Sequence, residues 1–215
     1  ERMSRLTIAI PTFRRPEDLK RAVGGVLEQA SELAAGPTAE ASGPRTDAEA
    51  GTEGDAAGAT DAKGGAGEDV SDIEVLVIDN DAQGSGREAA LAAAADAGVP
   101  VRFPADAPVE SGGMSVRYVV EERPGVAAVR NRALDETAER DLLIFIDDDE
   151  DPEPGWLAAL VGLWASTGCQ AVAGPVIPVY EIEPEEWVRQ GEFFVRRTWP
   201  TGTVRPVAAS NCLLL

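Results

Sequence analysis

The sequence predicts an α/β fold, a mostly parallel central sheet flanked by helices. Short apolar, β-branched runs of strand length alternate with segments whose apolar residues recur at helical spacing. Polar or acidic residues follow directly after each long run, as they do at the carboxyl ends of strands in an open sheet. In order, residues 6–10 (Leu-Thr-Ile-Ala-Ile) form the first strand. Pro16 then fits a helix start, and Leu19, Ala22, Val23, Val26 and Leu27 follow at i, i+3, i+4, i+7 and i+8. Residues 73–78 are a continuous apolar strand interrupted only by Glu74, as expected where both faces are covered. Ser85 and Glu88 have capping-box spacing and predict an Ala-rich helix to about Ala97.

A third strand is expected at 116–120, a helix from Gly125 to about Ala138 and a fourth strand at 142–146. Pro154 is expected to open a further helix whose Trp156, Leu157, Leu160, Val161 and Trp164 share one face. Shorter strands are expected at 171–173 and 176–180, followed by a less regular tail whose Trp187 and Trp199 either cover a pocket or, the better fit, complete the core. The stretch 98–115, with Pro100, Pro104, Pro108 and the Gly112-Gly113 pair, reads as a loop.

Residues 36–69 differ from everything around them. They contain no aromatic residue and no Leu, Ile, Val or Met, and eight acids stand against Arg45 and Lys63. Such a segment buries too little apolar surface to offset its ordering entropy, so it is expected to be a disordered acidic insertion. About 180 residues remain, enough for one domain that buries about 70% of its unfolded surface. The expected organisation is therefore a single domain over 1–215 that carries this insertion.

Composition limits the chemistry. The 215 residues include 38 acids, 19 bases and no histidine, for a formal charge of −19. No imidazole base is available, and no His-ligated zinc site. An isoelectric point near 4.3 opposes binding to a nucleic-acid backbone. Cys169 and Cys212 lack CxxC spacing and are expected to be reduced thiols. No stretch reaches the length of a membrane span and no leader is evident, so a cytoplasmic protein is expected, with the inner face of the membrane within its reach.

The strand ends carry the candidate site. They are followed by Pro11-Thr12-Phe13-Arg14-Arg15, Asp79-Asn80-Asp81, Glu121-Glu122-Arg123 and Asp147-Asp148-Asp149. Three consecutive carboxylates repel one another and call for a cation. Oxygen ligands without His or thiolate suit Mg²⁺ or Mn²⁺, which keep several waters and bridge to substrate phosphates.

These blocks carry a resemblance. Ile-Ala-Ile-Pro-Thr-Phe-Arg-Arg-Pro, Glu-Val-Leu-Val-Ile-Asp-Asn, Gly-Val-Ala-Ala-Val-Arg-Asn-Arg-Ala-Leu and Ile-Phe-Ile-Asp-Asp-Asp, in that order, resemble the family-2 glycosyltransferases with the A-type, Rossmann-like nucleotide-diphospho-sugar transferase fold. The resemblance implies a metal-dependent, hexosyl-type enzyme. Such an enzyme moves a sugar from a nucleotide-diphosphate donor to a hydroxyl of a glycan or lipid-linked acceptor, with inversion. It places Pro11, Thr12 and Asp79 at the base, Arg130 and Asn131 near ribose and diphosphate, and Asp148 in the donor site. Asp147 and Asp149 become the ends of a metal-binding Asp-x-Asp motif, and Asn211 lies on the acceptor side. The family's base follows the Asn211 segment, and the chain ends at Leu215, so the acceptor part is expected to be truncated and no base is assigned. Glu181, Glu183, Glu185 and Glu186 have no spacing that selects one of them.

Two other enzymes fit poorly. Gly84-Ser-Gly86-Arg-Glu-Ala89 matches a dinucleotide fingerprint, but five residues separate the strand end from its first glycine. A nucleotidyltransferase would need a Gly-rich basic loop after the first strand. The competing reading from another class is a module that captures a nucleotide or nucleotide sugar without efficient transfer.

Overall fold

A computed structural model describes residues 4–36, 70–102, 113–195, 200 and 211–214. The described residues form a seven-stranded sheet: β1 (Ser4–Thr12), β2 (Val70–Asp79), β3 (Val101–Arg102), β4 (Gly113–Val120), β5 (Leu142–Phe145), β6 (Ala171–Ala173) and β7 (Cys212–Leu214). Their order across the sheet is β3-β4-β2-β1-β5-β7-β6. The first five in that order pair in parallel, and β7 runs antiparallel to both β5 and β6. The expected α/β architecture is thus the one observed.

Side-chain alternation along the strands builds two cores. Leu6, Ile8 and Ile10 of β1, Ile73, Val75 and Val77 of β2, and Leu142 and Ile144 of β5 face one side. There they pack against the apolar stripes of α1 (Pro16–Ala35), α2 (Arg87–Asp96) and α4 (Trp156–Thr167). Ala9, Leu76, Ile78, Leu143 and Phe145 face the other side and meet Val129 and Ala133 of α3 (Val126–Glu136). Each large side chain buried this way contributes about 1.5–3 kcal/mol relative to exposure. Toward the amino ends of the strands this second face turns polar. Arg140 donates to Asp72 (2.7 Å) and to the Leu6 carbonyl (2.8 Å), and Arg117 donates to both oxygens of Glu74 (3.0 Å each). Buried charges are tolerated there because each is paired and hydrogen-bonded.

From β1 the chain fills one side of the sheet, with β2 beside β1, β3 at the outer edge and β4 inserted between β3 and β2, then returns to place β5 against the other edge of β1. The crevice beyond the carboxyl ends of β1 and β5 is therefore the topological switch point, where ligands bind in open α/β sheets.

Four expectations need correction. Ser85 and Glu88 form no capping box: α2 starts at Arg87, its N-cap is Gly86, and no side chain of that cap bonds the helix. The loop expected at 98–115 holds β3 at 101–102, and β4 already begins at Gly113; residues 103–112 lie outside the described residues. A two-residue strand after Pro100 carries no periodic signal. Residues 176–180 form no strand, since Pro175 and Pro178 deny the ladder its donors, and Val179 is 89% exposed. Trp187, at 62% exposure on the short helix α5 (Glu186–Gly191), is not a core residue. Its indole N–H donates to Glu185 (2.7 Å) and its ring meets Phe193 edge-on. Of the insertion expected at 36–69, Gly36 caps α1, and residues 37–69, like Trp199, lie outside the described residues.

Candidate active site

The parallel strands deliver their carboxyl-terminal loops to one edge, and backbone bonds lock those loops together. Asn80 N–H donates to the Thr12 carbonyl (2.9 Å), Glu121 N–H to the Asp79 carbonyl (2.9 Å) and Ile146 N–H to the Ala9 carbonyl (3.2 Å). The Asn80 amide ties the β4–α3 turn to the end of β2. It donates to the carbonyls of Glu121 and Arg123 (2.7 Å each) and accepts from Gly125 N–H (2.8 Å). Glu121 is buried and held in its charged form first by the Arg123 guanidinium (2.8 Å) and then by Arg123 N–H.

The aspartate triplet sits at the switch point, and its members differ. Asp148 turns inward: it is buried, and one oxygen accepts the Thr12 hydroxyl at 2.7 Å. Burial raises its pKa, against the Thr12 hydrogen bond and the Arg15 charge, which lower it. Asp147 and Asp149 face outward, with side chains 39% and 56% exposed. Asp149 accepts from Arg15 at 2.6 Å, and Asp147 lies 3.5 Å from Arg130. The following loop is moored to α1 by Arg21, which donates to Asp151 (2.7 Å). Gly25 lets α1 approach this loop, since a Cβ there would stand 3.1 Å from the Pro152 ring.

Asp79 lies beneath this surface with no exposure. One oxygen accepts Asp81 N–H (2.8 Å), and the other accepts Gly86 N–H (2.7 Å) and the Tyr118 hydroxyl (2.6 Å). Asp79 thus fixes the turn into α2, the place where a capping box was expected. Burial first, and then donation to Asp79, push the Tyr118 phenol well above its ordinary range. Asp81 accepts Gln83 N–H (3.2 Å) and Arg14 (3.2 Å), which together lower its pKa.

Pro11 is half-buried beside Thr12, while Asn131 is exposed on α3. Arg130 lies over the Phe145 ring, 5.8 Å from its centroid, and its buried Nε has no hydrogen-bond partner. Asn211 is set apart from these groups in its bonding. In the left-handed region (φ 50°), it accepts the Trp156 indole N–H (2.7 Å) and donates to the Pro175 carbonyl (2.7 Å). It fastens β7 to the start of α4 and to the segment leaving β6. The structure therefore brings Thr12, Asp147, Asp148, Asp149 and Arg130 together and spends the polar atoms of Asp79 and Asn211 on neighbouring chain. Neither Arg15 nor Tyr118 was assigned a role from the sequence. A tyrosine on the inward face of an apolar strand was the available signal, because its hydroxyl requires a buried partner.

The sequence model described as "Glycosyl transferase family 2" matches residues 66–208. The chain belongs to this family. The first strand block, at 6–16, lies outside that match. The succinoglycan biosynthesis protein ExoM of Rhizobium meliloti (strain 1021) is 32% identical over 143 residues, 66% of this chain and 41% of the relative. Among solved structures, the mannosyltransferase PcManGT from Pyrobaculum calidifontis, in complex with GDP-Man and Mn²⁺, aligns with a TM-score of 0.50 at 18% identity. That alignment covers 81% of this chain and 36% of the other, and it shows a shared A-type glycosyltransferase fold. The chain thus spans well under half the length of either protein. No helix among the described residues is long and apolar enough to cross a membrane.

Proposed function

We propose that this family-2 chain binds a nucleotide-diphosphate sugar at the β1–β5 crevice and transfers the sugar, with inversion, to a hydroxyl of a glycan or lipid-linked acceptor. The observation that carries this reading is the convergence at the switch point. Thr12 at the end of β1 holds Asp148, which follows β5, while Asp147 and Asp149 on either side of it point outward. Polysaccharide assembly, the process named for the ExoM relative, is the proposed setting, and 1–215 is proposed as one glycosyltransferase domain with an acidic insertion at 36–69.

The residues fit a divalent metal completed by substrate. Among the described residues no group of three or more His, Cys, Asp or Glu is placed to hold a metal on its own. Two outward carboxylates beside a crevice match the way Mg²⁺ and Mn²⁺ bind, through one or two carboxylates plus substrate phosphates and water. Asp147 and Asp149 would hold the ion, which stabilises the charge that grows on the departing diphosphate. Asp148, clamped by Thr12, fixes the spacing of its neighbours. The unpartnered Nε of Arg130 is a buried donor beside Asp147 and suits an anionic oxygen of the donor. Pro11 and the turn braced by Asp79 wall the base side. In this reading Asp79 acts by shaping residues 80–86 rather than through a free oxygen, since its carboxylate already accepts three donors.

The test supplies UDP-, GDP- and dTDP-sugars with Mn²⁺ and polyprenyl-linked or free oligosaccharide acceptors. Release of nucleoside diphosphate is followed, and the product anomer is read by NMR. Acceptor-dependent release with inverted configuration supports the proposal. Retained configuration refutes inversion, and binding without any transfer favours the capture module.

A further inference from the structure

Each outward carboxylate of the Asp-x-Asp motif is already engaged by a guanidinium. Arg15 Nη1 lies 2.6 Å from Asp149 and 3.5 Å from Asp148, and Arg130 reaches Asp147 at 3.5 Å. Arg15 is placed there by the backbone. Arg14 occupies the left-handed region (φ 56°), so the turn from β1 into α1 sends Arg14 toward Asp81 and Arg15 toward the triplet. The Arg15–Asp149 pair is half exposed on both sides, at 51% and 56%. Exposed pairs of this kind exchange partners at little cost. The loop Asp147-Asp148-Asp149-Glu150-Asp151 still carries more negative charge than Arg15, Arg21 and Arg130 offset.

We propose that Arg15 is a resident counter-cation of Asp149, displaced when a divalent metal enters and then turned to the diphosphate of the incoming nucleotide. The inference rests on the metal reading of the Asp-x-Asp motif and extends it to a residue outside that motif. One carboxylate oxygen cannot hold a guanidinium at 2.6 Å and coordinate a metal in the same direction, so the two cations compete for Asp149. Once released, Arg15 stands at the start of α1, beside the crevice, with donors in the fork geometry that matches a diphosphate. The arginine therefore has opposite effects on two ligands. It weakens metal binding by the free protein and strengthens diphosphate binding by the metal-loaded protein.

The experiment measures Mn²⁺ binding by electron paramagnetic resonance, with and without nucleoside diphosphate, for wild type, Arg15→Gln, Arg15→Lys and Asp149→Asn. Thermal unfolding of each variant checks its fold. Arg15→Gln is expected to bind Mn²⁺ about twofold to fivefold more tightly in the nucleotide-free protein, the range set by loss of one exposed ion pair. At saturating Mn²⁺ it is expected to bind nucleoside diphosphate more weakly, with nucleoside affinity unchanged and partial recovery in Arg15→Lys. Mn²⁺ affinity that is unchanged or weaker in Arg15→Gln, while Asp149→Asn abolishes Mn²⁺ binding, overturns the counter-cation and leaves the metal site standing. If Asp149→Asn binds Mn²⁺ like wild type, or if wild type takes up none with or without nucleotide, the metal reading falls and this inference with it.

Discussion

Substituting Tyr118→Phe tests how the turn from β2 into α2 is held. The ring is 4% exposed within the larger core and is retained by phenylalanine, so packing is preserved and only the hydroxyl is lost. That hydroxyl donates at 2.6 Å to a carboxylate with no exposure. A hydrogen bond to a charged partner is worth about 1.5–3 kcal/mol. Asp79 keeps its bonds from Asp81 and Gly86 N–H, so it is not orphaned, and the expected loss is about 2 kcal/mol. For a domain of this size that corresponds to a melting point lower by about 4–8 °C. Urea unfolding followed by tryptophan fluorescence measures it, and the denaturant slope should stay constant because the exposed surface does not change. In a double-mutant cycle with Asp79→Asn the two losses should couple by at least about 1 kcal/mol, as direct partners do. A loss below about 0.5 kcal/mol, or strict additivity, would refute the account of Asp79 as the brace of residues 80–86.

Other expectations follow from the same geometry. At Gly86 an added Cβ would stand 2.8 Å from Leu19, 3.1 Å from Asp79 and 3.3 Å from Thr12, so Gly86→Ala should destabilise by about 1–3 kcal/mol and weaken nucleotide binding. Gly24, inside α1 with open space around its Cβ position, should behave oppositely: Gly24→Ala is expected to stabilise by about 0.4–1 kcal/mol in the same urea assay. Asp81 and Glu121 have folded-state pKa values below their ordinary ones. Between those values the unfolded chain binds more protons, so their stabilisation is whole above about pH 4.5 and is lost as pH falls through the folded pKa values. Unfolding midpoints measured across this window should fall less steeply in Glu121→Gln than in wild type.

Much of the fold was legible because sheet and helix periods are written plainly in this chain. The alternation in β1 and the i, i+3, i+4 stripe of α1 each name the face they bury. What failed had a local physical reason. The Ser85–Glu88 spacing was sound, but Asp79 supplies Gly86 with a carboxylate across the fold, which no local motif reveals. Prolines at 175 and 178 cancelled an apolar run that read as a strand. The candidate site was legible as a set of residue types at strand ends, but roles depend on direction. Asp148 turns inward to Thr12 while its neighbours face solvent, and a run of three identical residues cannot encode that difference. Asn211 shows the same limit, its amide being spent on Trp156 and Pro175.

Thermal unfolding with UDP, GDP and dTDP, each with and without Mn²⁺, on wild type and Asp149→Asn tests the proposed donor site and its metal together. At a hundredfold excess over its dissociation constant, a ligand adds about 2.7 kcal/mol. A shift of that size is expected with one nucleotide only when Mn²⁺ is present, and no such shift in Asp149→Asn. An equal shift without metal, an undiminished shift in Asp149→Asn, or no shift with any nucleotide would contradict the proposal.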